Sequence, residues 1–156
     1  MKWSWKIGRA AGIDVYVHAT FFLMVAFVAI TYWLEQRSLT AMLEGVLFLL
    51  ALFACVLLHE FGHALAARRY GIPTRDITLL PIGGVARLER MPEKPIQELW
   101  VAMAGPAVNV VIAAVLFVAL LVTNTLTPLG ELSMTVGPFV ERLISVNLSL
   151  VLFNLI

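Results

Sequence analysis

Apolar residues run along this chain in four long blocks, roughly 17–34, 43–67, 99–122 and 140–156, separated by shorter polar stretches. A helix needs about 20 predominantly apolar residues to cross a hydrocarbon core, so each block predicts a transmembrane helix, the fourth cut short at Ile156. Between the second and third blocks the pattern changes to short strand-like runs, Ile77-Thr78-Leu79-Leu80 and Val85-Ala86-Arg87-Leu88, around the turn signal Pro81-Ile82-Gly83-Gly84. That predicts a β-hairpin at the membrane surface. Ile13-Asp14-Val15-Tyr16-Val17 alternates in the same way after Gly12 and could pair with it. Met91-Pro92-Glu93-Lys94-Pro95 breaks the chain before Glu98, which suits the first turn of the third helix. The expected fold is an all-α polytopic membrane protein, with four transmembrane helices, the last truncated, and a small β-hairpin or sheet at the cytosolic surface. Residues 1–156 form one unit in this reading, without internal repeat, low-complexity tract or second soluble domain.

Composition supports a membrane setting: 61% of residues are hydrophobic and 13% charged, more apolar than a soluble globule tolerates. The net charge of +1 carries no information as a total, and no basic block suggests nucleic acid. Position matters more. Of the 11 lysines and arginines, Lys2, Lys6 and Arg9 precede the first span, and Arg68, Arg69, Arg75, Arg87, Arg90 and Lys94 lie between the second and third; only Arg37 and Arg142 fall on the other side. The positive-inside rule then places the N-terminus and the 68–98 loop in the cytosol, as in a prokaryotic cell membrane. The first block is long and lacks a small-residue cleavage site, so it reads as a retained helix and not as a signal peptide. A single cysteine, Cys55, excludes an intrachain disulfide and leaves the redox compartment open.

Inside the second block stands His59-Glu60-Phe61-Gly62-His63. On a helix His59 and His63 are about one turn apart and can grip one ion, while Glu60 lies about 100° from His59 and 60° from His63. The carboxylate is therefore close to the ion yet free to take a proton from a water and pass it to a leaving amine, the chemistry of peptide hydrolysis without a covalent intermediate. A chance match to His-Glu-x-x-His in a chain this long is on the order of one in a few hundred at average residue usage. Within a membrane helix it is rarer, because an ionised side chain there costs about 2.5–3.5 kcal/mol.

Counting from Arg68 at 1.5 Å per residue puts His63 about 8 Å and His59 about 14 Å into the membrane. From Glu98 on the same side, Gly105 lies about 10 Å in and Asn109 about 16 Å. The third helix thus brings a glycine for close approach and an amide that could donate to a developing oxyanion, or serve only as an interhelical hydrogen-bonding group. A catalytic zinc usually has three protein ligands. The fourth block enters from the far side near Arg142 and reaches metal depth only about 21 Å later, at Ile156. Either Asn154 is a weak third ligand or the ligand lies beyond this sequence, and the second is the expectation. Cys55, one turn before His59, reads as a small packing residue, His18 as an interfacial one, and Asn147 and Asn154, seven apart, as one helix face turned to the bundle interior.

These residues resemble the site-2 protease family of intramembrane zinc metalloproteases. The resemblance rests on His59-Glu60-x-x-His63, Pro81-Ile82-Gly83-Gly84, Ala104-Gly105-Pro106-x-x-Asn109 and Phe153-Asn154-Leu155-Ile156 in that order, and covers nearly the whole chain. It implies that His59 and His63 bind one Zn2+, that Glu60 is the general base and that Asn109 helps stabilise the oxyanion. It further implies an Asp third ligand in an Asp-Gly that follows the Phe-Asn-Leu-Ile stretch in the family, so that this chain alone is expected to be inactive. Family substrates are single-pass membrane proteins cut within the bilayer, and the hairpin residues Gly83, Gly84 and Val85 are expected to offer an edge strand to an unwound substrate. The Trp3-Ser4-Trp5-Lys6-Ile7-Gly8 and Val15-Tyr16-Val17-His18 patterns look like the subgroup that carries a pair of CBS domains after the membrane core. The alternative, from a different class, is a non-catalytic membrane module or degenerate protease that binds transmembrane helices.

Overall fold

The computed structural model describes residues 3–90, 92–123 and 138–155. Lys2, Met91 and Ile156, which entered the sequence reading, lie outside them. Two β-strands open the chain, β1 (Ser4–Ala10) and β2 (Ile13–His18), followed by helices α1 (Ala19–Gln36) and α2 (Leu39–Arg69). Strands β3 (Thr74–Leu80) and β4 (Gly83–Leu88) come next, then helices α3 (Pro95–Thr123) and α4 (Phe139–Leu155).

The strands form one sheet in the order β1-β2-β3-β4. Each outer pair is a tight antiparallel hairpin. Ala10 faces Ile13 across a turn in which Ala11 and Gly12 both have positive φ (50° and 81°), the backbone that matches the twist of two-residue hairpins. Leu80 faces Gly83, so the second turn is Pro81-Ile82, and Gly83 and Gly84 already belong to β4. The central pair, β2 and β3, is parallel, with Val15 opposite Ile77 and Val17 opposite Leu79. The expected hairpin and its Ile13–Val17 partner are therefore present. The addition is β1, an edge strand whose Trp-Ser-Trp-Lys-Ile run reads as a basic flank of the first helix because its apolar residues are exposed rather than packed: Trp5 and Ile7 face outward, and Trp5 meets Phe22 of α1 edge-on at 5.8 Å. With four strands in place, the helices are only part of the fold.

Alternation along β2 and β3 divides the sheet into an apolar and a polar face. Ile13, Val15, Val17, Ile77 and Leu79 are buried, and the contacts that cover them come from α1 and α2: Val17 and Leu79 pack with Phe21, Phe53 and Val56, Ile13 and Ile77 with Ala64. Phe21 and Phe53 meet edge to face at 4.7 Å between centroids, the arrangement their ring quadrupoles favour. On the other face Asp76 is buried but paired, accepting from Arg87 at 2.7 and 2.5 Å, and its carboxylate raises the Arg87 guanidinium above its ordinary value.

Helices α1, α2 and α3 are each long and apolar enough to cross a membrane. α1 starts at Ala19, two residues later than the apolar block, because Val17 and His18 finish β2; His18 caps the helix through Nδ1, which accepts from the Thr20 N–H. α4 is helical as expected over 17 residues. Arg142 is buried, its Nη2 donates to Glu44 of α2 at 2.9 Å, and its guanidinium lies 4.7 Å from the Phe48 ring centroid. Asn147 is also buried; its amide donates to the Leu143 carbonyl and to Cys55 Sγ, so Cys55 serves the α2–α4 contact. Asn154, by contrast, is exposed and donates to its own Leu150 carbonyl, so the two asparagines do not share one environment. Arg142→Ala is expected to lower stability by about 1–3 kcal/mol, chiefly through the lost packing of its buried side chain on Phe48, with little from the half-exposed Glu44; a thermal melt in detergent measures it.

Candidate metal centre

The α2–α3 contact is made of small residues at the level of the histidines. A Cβ on Gly62 would stand 2.7 Å from the Ala104 carbonyl oxygen, so only glycine lets the two backbones approach this closely. On the adjoining face Gly105 lies against both imidazoles, and a Cβ there would collide with Nε2 of His63 and, at 2.6 Å, with Nε2 of His59. His63 Nδ1 is 2.7 Å from the Val101 carbonyl and donates to it, which leaves Nε2 with a free lone pair. The two Nε2 atoms face each other at 3.0 Å.

This donor set fits zinc. Two nitrogens at 2.0–2.1 Å in a tetrahedral arrangement stand about 3.3 Å apart, so a slight spreading of the rings converts the observed pair into two ligands. The lined-up Nε2 atoms, the tautomer set by Val101 and the space over Gly105 all prepare the same point. Among the described residues no third His, Cys, Asp or Glu joins them. His59 is 5% exposed, and Asn109, fully buried, stands beside it within reach of its ring, with no hydrogen bond of good geometry to either amide atom. The amide of Asn109 thus lies at the same point as the imidazoles with hydrogen-bonding capacity to spare.

Glu60 points from the same turn toward the sheet. Its Oε2 accepts from the Ala86 N–H of β4 at 3.0 Å, and Gly84 packs so tightly on it that a Cβ would lie 2.5 Å from Glu60 Cγ. An open cavity of about 840 Å³ reaches Glu60 and His63 past Arg75, Arg87, Glu98 and Ala102, giving the site a polar approach from the sheet side. Pro106 cannot donate to the carbonyl of Ala102, so the helix lacks that one backbone hydrogen bond beside the site. Of the residues singled out in sequence, His59, Glu60, His63 and Asn109 come together, Gly84 and Ala86 join them, and Val85 stays exposed on the far face of the edge strand. Cys55, His18 and Asn154 do not. Sequence reasoning missed the roles of Val101 and Gly62; the small-residue spacing Gly62 against Ala104 was the available signal.

Gly84→Ala is expected to move Glu60 while sparing the histidines. Zinc content should be unchanged while any zinc-dependent cleavage falls about 10–100-fold, as for a misplaced reacting group; loss of zinc together with cleavage would contradict this separation.

Fold and site together define the class, a helical membrane protein whose second helix carries a metallopeptidase-type histidine pair. The sequence profile of peptidase family M50 matches residues 47–141, and the chain belongs to that family. A zinc metalloprotease of Methanocaldococcus jannaschii is 35% identical over 100% of this chain and 42% of that protein. A Synechocystis protein whose name also places it among the zinc metalloproteases is 36% identical over 97% of this chain and 40% of its own length. The solved structure of the site-2 protease from M. jannaschii superposes with a TM-score of 0.70 at 33% identity, over 99% of this chain and 65% of that one. The chain thus spans about two fifths of the length of these curated relatives.

Proposed function

We propose that this chain forms the core of a zinc-dependent intramembrane endopeptidase that hydrolyses peptide bonds in transmembrane segments of single-pass membrane proteins. The observation that carries it is the meeting of three elements: the facing Nε2 atoms of His59 and His63, the Glu60 carboxylate, and the buried amide of Asn109 beside His59. His59 and His63 hold the ion, with a third ligand supplied from outside the described residues; without it these residues alone do not turn over. Zinc, when bound, supplies a Lewis acid that makes water nucleophilic near neutral pH.

The remaining chemistry belongs to the chain. Glu60 takes the proton of the attacking water and delivers it to the departing amine, held in place by the Ala86 N–H. Asn109 donates its amide to the oxygen of the scissile carbonyl as charge develops there. Gly83, Gly84 and Val85 open an edge strand onto which an unwound substrate adds, while the Ala86 N–H stays on Glu60. Sheet and N-terminus face the cytosol, with α4 completing the bundle as a fourth, shorter span.

The test is cleavage of a single-pass reporter in proteoliposomes by the chain completed with its third ligand. Cleavage should stop on chelation with 1,10-phenanthroline and return with Zn2+. Binding of the reporter without zinc-dependent cleavage would favour a helix-binding module instead.

A further inference from the structure

The α2–α3 contact has a second flank, turned away from the metal centre. There a groove of about 680 Å³ runs between the helices over Gly62, Ala66, Ala104 and Ala107, with Leu65 and Met103 on its sides. It spans residues 62–69 of α2 and 100–108 of α3, about 10–12 Å along the helices. Its lining is mostly apolar, and its mouth at the sheet side is formed by Arg69, Tyr70 and Trp100. Tyr70 also lines a second, polar pocket of about 200 Å³, with Arg90, Glu93, Lys94 and Gln97. The two share Tyr70: an apolar slot between the helices, with Arg69 at its mouth, and a small polar cup that sets Arg90 and Lys94 against one acid, Glu93.

We propose that this composite site binds one anionic glycerophospholipid, its acyl chain in the groove and its phosphate among Arg69, Arg90 and Lys94. Four observations point to lipid chemistry. Tyr70 and Trp100 are amphipathic aromatics of the kind that settle at headgroup level, and they stand where the apolar slot gives way to the polar cup. Basic pockets between transmembrane helices suit anionic headgroups. The cup sits at the N-terminal end of the 29-residue α3, where the Lys94 carbonyl accepts the Gln97 and Glu98 N–H groups and the helix dipole favours an anion. Finally, Arg90 is held over the cup, its Nη2 donating to the Gly71 carbonyl at 3.4 Å, while its ion pair with Glu93 is long (3.8 Å) and solvated, which leaves its charge open to a stronger anion.

A peptide substrate fits this flank poorly. The close Gly62–Ala104 contact stands between the groove and Glu60, so a chain lying in the groove is walled off from the catalytic carboxylate. A lipid there has a different effect: it lies against the helix turns that carry His63 and Gly105 and holds the α2–α3 contact closed.

The test is native mass spectrometry of the purified chain after incubation with mixed vesicles of phosphatidylglycerol and phosphatidylcholine in equal amounts. One phosphatidylglycerol should be retained, about tenfold in preference to phosphatidylcholine. Arg69→Gln/Arg90→Gln/Lys94→Gln should erase the preference, and Ala107→Phe, at an exposed position where it fills the slot, should remove the bound lipid of either kind. If the triple variant fails to fold, Arg69→Gln alone should reduce the preference about threefold. Equal retention of the two lipids by the unaltered chain, undiminished retention by Ala107→Phe, or a dimer in place of the lipid adduct would each overturn the proposal.

Discussion

Glu60→Gln is expected to lower peptidase turnover of the zinc-loaded protein by about 10²–10⁴-fold, with zinc content and melting temperature unchanged. Glutamine keeps the shape of glutamate and can still accept from the Ala86 N–H through its amide oxygen, so the link between α2 and β4 survives. What disappears is the basic carboxylate. A reporter cleavage assay beside metal analysis and a thermal melt separates the outcomes. Turnover within tenfold of the parent would remove Glu60 from its role, whereas a parallel loss of zinc or stability would make it a structural residue.

The second large effect belongs to a residue with no chemistry of its own. Gly105→Ala places a methyl group where both Nε2 atoms stand, and neither ring has an easy retreat: His63 is tied through Nδ1 to the Val101 carbonyl, and His59 is buried. Zinc affinity should fall at least 10–100-fold, comparable to losing a group that orients a metal ligand, and turnover with it. The zinc-to-protein ratio after gel filtration reads this directly, and Ala107→Ser, two residues on and exposed, should keep the parent ratio. An alanine variant that binds zinc normally would mean that the imidazoles do not meet the ion at the point the cradle marks.

Much of this architecture could be read from the chain because membranes simplify the problem. A helix that must satisfy its backbone internally leaves a long apolar run with few alternatives, so α1, α2 and α3 fall within a few residues of their blocks. The His59–His63 spacing needed only the helical repeat, and the depth count brought Asn109 and Gly105 to the same level, where the structure has them beside the imidazoles. β1 escaped because its apolar residues face outward, so alternation gave no inward signal to find. Arg142 escaped for a related reason. Its pairing with Glu44 joins positions 98 residues apart, and no local pattern announces a partner at that distance. The hold of Ala86 and Gly84 on Glu60 was equally hidden, since it depends on how the sheet seats against α2 rather than on either sequence alone.

Strands β2 and β3 lie side by side and parallel, yet the chain between them is α1 and α2. This pairing draws together the two feet of a helical hairpin that has already crossed the membrane and returned, so it closes only after both helices are in place. It also works as a depth gauge. A slip that kept the same faces in register would move β3 by two residues, about 6.6 Å, against β2. The end of α2 would be dragged with it, and the histidines would be carried away from Asn109 on α3. The height of the histidine pair in the bilayer is thus set outside the bilayer, by four residue pairs of a small sheet, Asp14–Asp76 to Val17–Leu79.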